Sequence, residues 1–249
     1  EIAAEQENRQ TDFTSAAAKE WYYATFKKSA EWQESSQKGK KLPEWNHPNV
    51  SKLGSTEFVE YPLKKAHSAY PITATDFSGK SLNVQETVRT AEASTSKIVF
   101  FKQPSGKIIV REFDYIPDWN YLNAKKFDIG NTSILGQQAD FTGRVIVKNW
   151  KGDIINMAYY ENGIAKMRGR KAGKSANLNP GTPIDNENCH EAEFCIWQQD
   201  CDLSIYGDGM VTYECTNWYN TGECWMEYWC DEGGDPCEVA GIGCHDEGG

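Results

Sequence analysis

The sequence predicts an α+β protein: one N-terminal helix packed on an antiparallel β-meander sheet, followed by a small disulfide-rich β module. Three observations carry that prediction. Apolar residues recur at helical spacing near the N-terminus, short β-type runs alternate with turn residues from about residue 55, and all eight cysteines lie between Cys189 and Cys244. Their distribution divides the chain into a body over 1–168, a linker over 169–187 and a tail module over 188–249.

The helix is expected over 12–38, opening near Asp12 and closing at Gly39 and Pro43. Ala18, Tyr22, Phe26 and Ala30 recur every four residues with Trp21 and Trp32 beside them, a stripe that suits burial on a sheet. Lys27 with Glu31, and Glu34 with Lys38, are spaced for ion pairs on the wet side. Leu42–Pro48 reads as an extended connection. A hairpin follows over 96–103 and 107–115 around Pro104-Ser105-Gly106. After it comes a meander over 144–150, 153–160 and 164–168, with Asn162-Gly163 marking a type I′ turn. No βαβ alternation is present, so the sheet should be antiparallel.

The linker begins Gly169-Arg170-Lys171 and contains almost no large apolar residue. Gly169 and Gly173-Lys174-Ser175 imitate a phosphate-binding loop, but three residues separate the glycines instead of four and no strand–helix unit surrounds them. The basic cluster Lys166, Arg168, Arg170, Lys171 and Lys174 reads better as a solvated edge or a landing site for acids.

The tail has its own chemistry. Cys189, Cys195, Cys201, Cys215, Cys224, Cys230, Cys237 and Cys244 form an even set in a segment too short to bury a large core, which implies a disulfide framework of four bridges. A zinc reading fits poorly, because paired ligands at C-x2-C spacing are missing. No Lys or Arg follows Lys174, so residues 175–249 carry a formal −16 against +6 for the rest. Two hairpins are expected, one turning at Gly207-Asp208-Gly209 and one at Asn220-Thr221-Gly222. Trp218, Trp225 and Trp229 sit among carboxylates, either packing as a small core or offering surface to a sugar or a partner protein. The opposite charges predict that the tail docks on basic surface, in the same molecule or the next copy, with Lys166–Lys174 as the first candidate.

Ala18-Lys19-Glu20-Trp21-Tyr22, the hairpin running into Ile116-Pro117-Asp118, and Phe141 through Ile154 (FTGRVIVKNWKGDI) together resemble a group of uncharacterised exported proteins of Gram-negative bacteria, several of which end in a Cys/Trp/Gly-rich tail. The resemblance implies export and architecture; its motifs are turns and sheet positions and transfer no catalytic residue. Glu1 is not an initiator methionine, so the expectation is a processed chain whose leader was removed, located outside the cell or on its outer surface.

No catalytic residue, metal ligand or cofactor is nominated. G-x-S-x-G and H-E-x-x-H are missing, His47, His67, His190 and His245 are scattered, and Asp200, Asp202 and Asp208 lack EF-hand spacing for calcium. Nothing in the charge pattern points to nucleic acid, and no apolar run reaches the length of a membrane span. The expected function is a non-catalytic secreted or cell-surface protein that assembles with itself or binds an outer-surface protein. The alternatives are a carbohydrate-binding module and a secreted hydrolase.

Overall fold

A computed structural model of the chain describes residues 12–36, 39–53, 55–75, 79–129, 140–171, 189–205, 211–231 and Val239. The α+β architecture is as expected, with twelve strands in one antiparallel sheet. These are β1 (Lys41–Pro43), β2 (Asn49–Leu53), β3 (Thr56–Lys65), β4 (His67–Thr73), β5 (Thr95–Lys102), β6 (Ile108–Pro117), β7 (Gly143–Lys148), β8 (Ile154–Glu161), β9 (Ile164–Lys171), β10 (Cys189–Ile205), β11 (Val211–Cys215) and β12 (Tyr219–Cys230).

The N-terminal helix is broken where the sequence predicts one rod. α1 (Ser15–Ala24) is capped by Thr14, whose side chain accepts from Ala17 N, and not by Asp12. A 3-10 turn, Phe26–Lys28, follows, and the one-turn α2 (Ala30–Gln33) restarts with Ser29 as its cap. Thr25 and Ser29 break the rod because both leave helical geometry, and Ser29 offers its hydroxyl to the new first turn. The break lets Tyr22, Phe26 and Trp32 all bury against Val59, Tyr61, Ile98, Phe100 and Trp150. It also separates the expected Lys27–Glu31 pair: the Lys27 ammonium lies over Tyr23 and Trp32, and Glu31 accepts from Trp150 N. Glu34 reaches Lys151, and its expected partner Lys38 lies outside the described residues.

Two further helices were not expected. α3 (Val84–Ala93) starts with a capping box in which Asn83 and Glu86 bond each other's backbone N–H. α4 (Trp119–Ala124) buries Trp119, Tyr121 and Leu122.

Along the sheet, β1-β3-β5-β6-β7-β8-β9 continue into β12-β10, and β10 also pairs β4. Because β4 follows β3 directly through Ala66, this path returns almost to its start, and the sheet rolls up. Strand alternation gives each face its own core. On β6, Phe113 and Tyr115 face a core with Val145, Val147 and α4, whereas Val110, Glu112, Asp114 and Ile116 point the other way. That second face is apolar at both ends: under α1–α2 at one, and inside the roll at the other, where Ile116, Ile146, Met157 and Met167 meet Tyr70, Ile72, Phe194, Trp197 and Trp229.

The expected boundary at 168/169 therefore does not coincide with a break in the sheet. Gly169–Lys171 continue β9 and pair with β12, Lys171 opposite Glu227 and Gly169 opposite Trp229. The expected second tail hairpin is not formed; β12 runs unbroken because its two halves pair with the same strand, and Thr221-Gly222-Glu223 bulge opposite Ile196 with Gly222 at φ +79°. The 96–115 hairpin, the 144–168 meander and the Asn162-Gly163 turn with both φ positive stand as expected.

Candidate functional site

β10 is the strand that closes the roll, with β4 on one side and β12 on the other, and three of its residues at six-residue intervals are cysteines. Cys189, Cys195 and Cys201 are bonded to the residues directly opposite, Cys230, Cys224 and Cys215. For these six the zinc reading is overturned. Cys237 and Cys244 lie outside the described residues, and with them the fourth expected bridge; so does the turn at 207–209.

The tail tryptophans are not a single exposed surface. Trp229 is fully buried, and Trp218 and Trp225 are half-buried against the same core, Trp218 stacked on Tyr70 at 5.6 Å between ring centroids. Of the basic cluster, Lys166 is exposed, Arg168 is half-buried, and Arg168 to Lys171 run alongside Cys230 to Glu227, so tail and cluster strand meet within one molecule. Lys174 lies outside the described residues. Gly169 has a packing reason: a Cβ there would sit 2.7 Å from the Trp229 ring.

The residues that hold tail to body were missed from sequence. Arg144 on β7 is 2% exposed and reaches across the roll to all three overlying strands. It donates to the Pro71 carbonyl on β4, lies 4.0 Å from the Phe194 ring centroid on β10, and stands 3.9 Å from the Glu227 carboxylate on β12. Glu227 accepts indole N–H bonds from Trp225 (2.8 Å) and Trp229 (3.2 Å). Burial lowers the Arg144 guanidinium to about 10 against the opposing pull of Glu227 and Asp118, so it remains a cation at neutral pH.

A second buried network lies where the apolar ends of that face meet. Lys65 bonds Glu112 (3.0 Å) and Asp114 (2.9 Å), Lys41 bonds Glu112 (2.6 Å), and Lys148 and Ser96 both donate to Asp114. Tyr70, from β4, shares a 3.0 Å bond with Ser96. Burial alone would neutralise these groups, but their mutual attraction wins: Lys148 and Lys65 hold Asp114 well below the usual carboxylate range, and Asp114 and Glu112 hold Lys65 above the usual lysine range. Chemically the network is a set of fixed charges. Lys65 cannot act as a base near neutrality, nor Asp114 as an acid. The signal in the sequence is Glu112 and Asp114 two apart on one face of a largely apolar strand, opposite a β7 face bearing Arg144 and Lys148.

One polar cluster is open to solvent at the seam between body and tail. His67 Nδ1 lies 2.6 Å from Asp200, which also accepts from Tyr219 Oη (2.7 Å) and Gln198 Nε2 (2.7 Å). The bond with His67, then those from Tyr219 and Gln198, lower the Asp200 carboxyl, and Asp200 in turn raises the Tyr219 phenol. Among the described residues no group of three or more His, Cys, Asp or Glu is arranged to hold a metal. No family model, curated protein or solved structure matches the chain, so its geometry alone bears on its role.

Proposed function

We propose that the protein is an exported, non-catalytic module of the extracellular or outer cell surface that binds another protein chain, either a neighbouring surface protein or a further copy of itself. The observation that carries this reading is the riveting of β10 by three cross-strand disulfides. Such bridges persist in an oxidising compartment outside the cytosol, and here they fix the one strand that keeps the roll closed. A closed, stapled roll suits a rigid platform that meets partners with its surface. No described helix is long and apolar enough to cross a membrane.

The test is the native mass and thiol content of protein recovered from its own compartment, measured by sedimentation and by mass spectrometry of alkylated samples. A fully oxidised chain in a discrete complex or assembly is the expected result. Free thiols at these six positions, or a hydrolytic turnover abolished by one acid-to-amide change, would overturn it. A sugar-binding role draws on one observation: exposed Tyr219 lies beside Asp200, Gln198 and His67, an aromatic face with polar groups around it. Glycan-array binding lost in Tyr219→Ala would favour that role.

A further inference from the structure

β6 has a free edge at one end. It pairs with β5 along Ile108–Tyr115, but β7 lies beside it only from Glu112 to Pro117, so among the described residues Ile108–Arg111 have no strand on that side. Gln103 N donates to the Lys107 carbonyl, which fixes the alternation: odd-numbered residues here bond toward β5, and the N–H and C=O groups of Ile108 and Val110 point to the open side. The Val110 carbonyl is held there by Arg111 Nη1 at 2.9 Å. Just beyond the end of β7, Trp150 N is taken by Glu31.

A cleft of about 250 Å³ follows this edge, walled on its far side by Trp21 and Phe26, whose rings stack at 5.9 Å. Its charges are Lys107 and Arg111 against Glu31. Arg111 Nε is sealed from solvent and has no hydrogen-bond partner, although a guanidinium offers its Nε and Nη donors side by side to a carboxylate.

We propose that this slot receives an extended acidic peptide segment as an added strand, its backbone pairing with Ile108 and Val110 and one carboxylate bonding Arg111. The backbone edge selects a peptide, because only a strand offers donors and acceptors at that repeat. The slot is about four residues, or roughly 13 Å, long. Charge selects the sequence: two cations outnumber Glu31, and the idle Arg111 Nε awaits an anion. A side chain of the incoming strand packs on Trp21 and Phe26. On binding, Arg111 turns from the Val110 carbonyl to the carboxylate, and the carbonyl passes to the peptide's N–H. This inference names the partner chemistry for the protein-binding reading above and rests on it.

The test uses the oxidised full chain and fluorescence anisotropy with labelled peptides that alternate glutamate and valine. The glutamate peptide should bind, more weakly as salt rises, and its lysine counterpart should not. Arg111→Gln should weaken binding about tenfold, and Lys107→Gln, at an exposed position, should weaken it less. N-methylation of the alternate amides that face β6 should abolish binding, while methylation of the other set should not. Equal loss from both methylated sets, equal binding of the lysine peptide, or no binding at millimolar peptide would overturn the slot. None of these outcomes bears on the native mass of the protein, which tests the wider reading separately. Native self-association that disappears in Arg111→Gln would identify the strand as a segment of a second copy; glycan binding in the cleft lost in Trp21→Ala would overturn the peptide.

Discussion

Asp114 shows how a single residue is committed to a charge by its surroundings. It is fully buried and accepts from Lys65, Lys148 and Ser96. Asp114→Asn keeps the shape but leaves the buried Lys65 and half-buried Lys148 ammonium groups short of a partner, so a cost of about 3–5 kcal/mol in urea unfolding is expected. The pH dependence follows from the direction of the shift. Asp114 and Glu112 are both depressed in the fold, so the stability they contribute is fully present above the ordinary carboxylate values of 3.8 and 4.5 and is lost as pH falls below them. At the other end Lys65 is raised, so its contribution is complete below 10.5 and declines only above it. Denaturation midpoints should be flat between about pH 5 and 9 and fall on the acid side, with a smaller acid loss in Asp114→Asn. Little of this network was legible in the sequence, because its members lie as far apart as Lys41 and Glu112 and meet only through register. For Trp229 the sequence leaves core and surface both open, because it stands among carboxylates; the fold decides for core, since its neighbour Glu227 is buried with it and accepts its indole N–H.

At the scale of elements, turn chemistry was readable and closure was not. Asn162-Gly163 and Gly106 reveal their hairpins because positive φ is a local demand that few residues meet. The capping box of α3 is also written locally, in Asn83 and Glu86, but the helix behind it has threonines where a strong apolar stripe would stand, so its period is weak. Asn83→Ala should therefore cost about 1 kcal/mol in thermal unfolding, the usual value of such a cap. The pairing of β9 with β12 had no local signal: Gly169 opens a run that reads as linker, but it is small because the Trp229 ring lies on it. Gly169→Ala should lower stability by about 1–3 kcal/mol through overpacking, and relief by Trp229→Phe in the double variant would show that the ring is the cause.

For the whole molecule, the question is whether body and tail are two folding units, as the cysteine distribution suggests, or one. The core inside the roll argues for one. Removing everything after Lys171 would strip Phe194, Trp197 and Trp229 from Tyr70, Ile72, Ile146, Met157 and Met167, and would leave Arg144 buried without Glu227 or Phe194. Each lost aromatic is worth about 3–5 kcal/mol, which together approaches or exceeds the 5–15 kcal/mol of a typical domain. Reduction differs in kind, because it removes covalent links and leaves the core residues in place. Each bridge contributes about 2–4 kcal/mol, largely by restricting the unfolded chain. The reduced full chain should thus keep its near-ultraviolet circular dichroism at low temperature and melt far earlier than the oxidised protein. The fragment 12–171 should lose that signal, bind a hydrophobic dye and unfold without a cooperative transition. A fragment that melts cooperatively with native-like tyrosine and tryptophan signals would show that the roll can close without β10, and that the tail is an independent module after all.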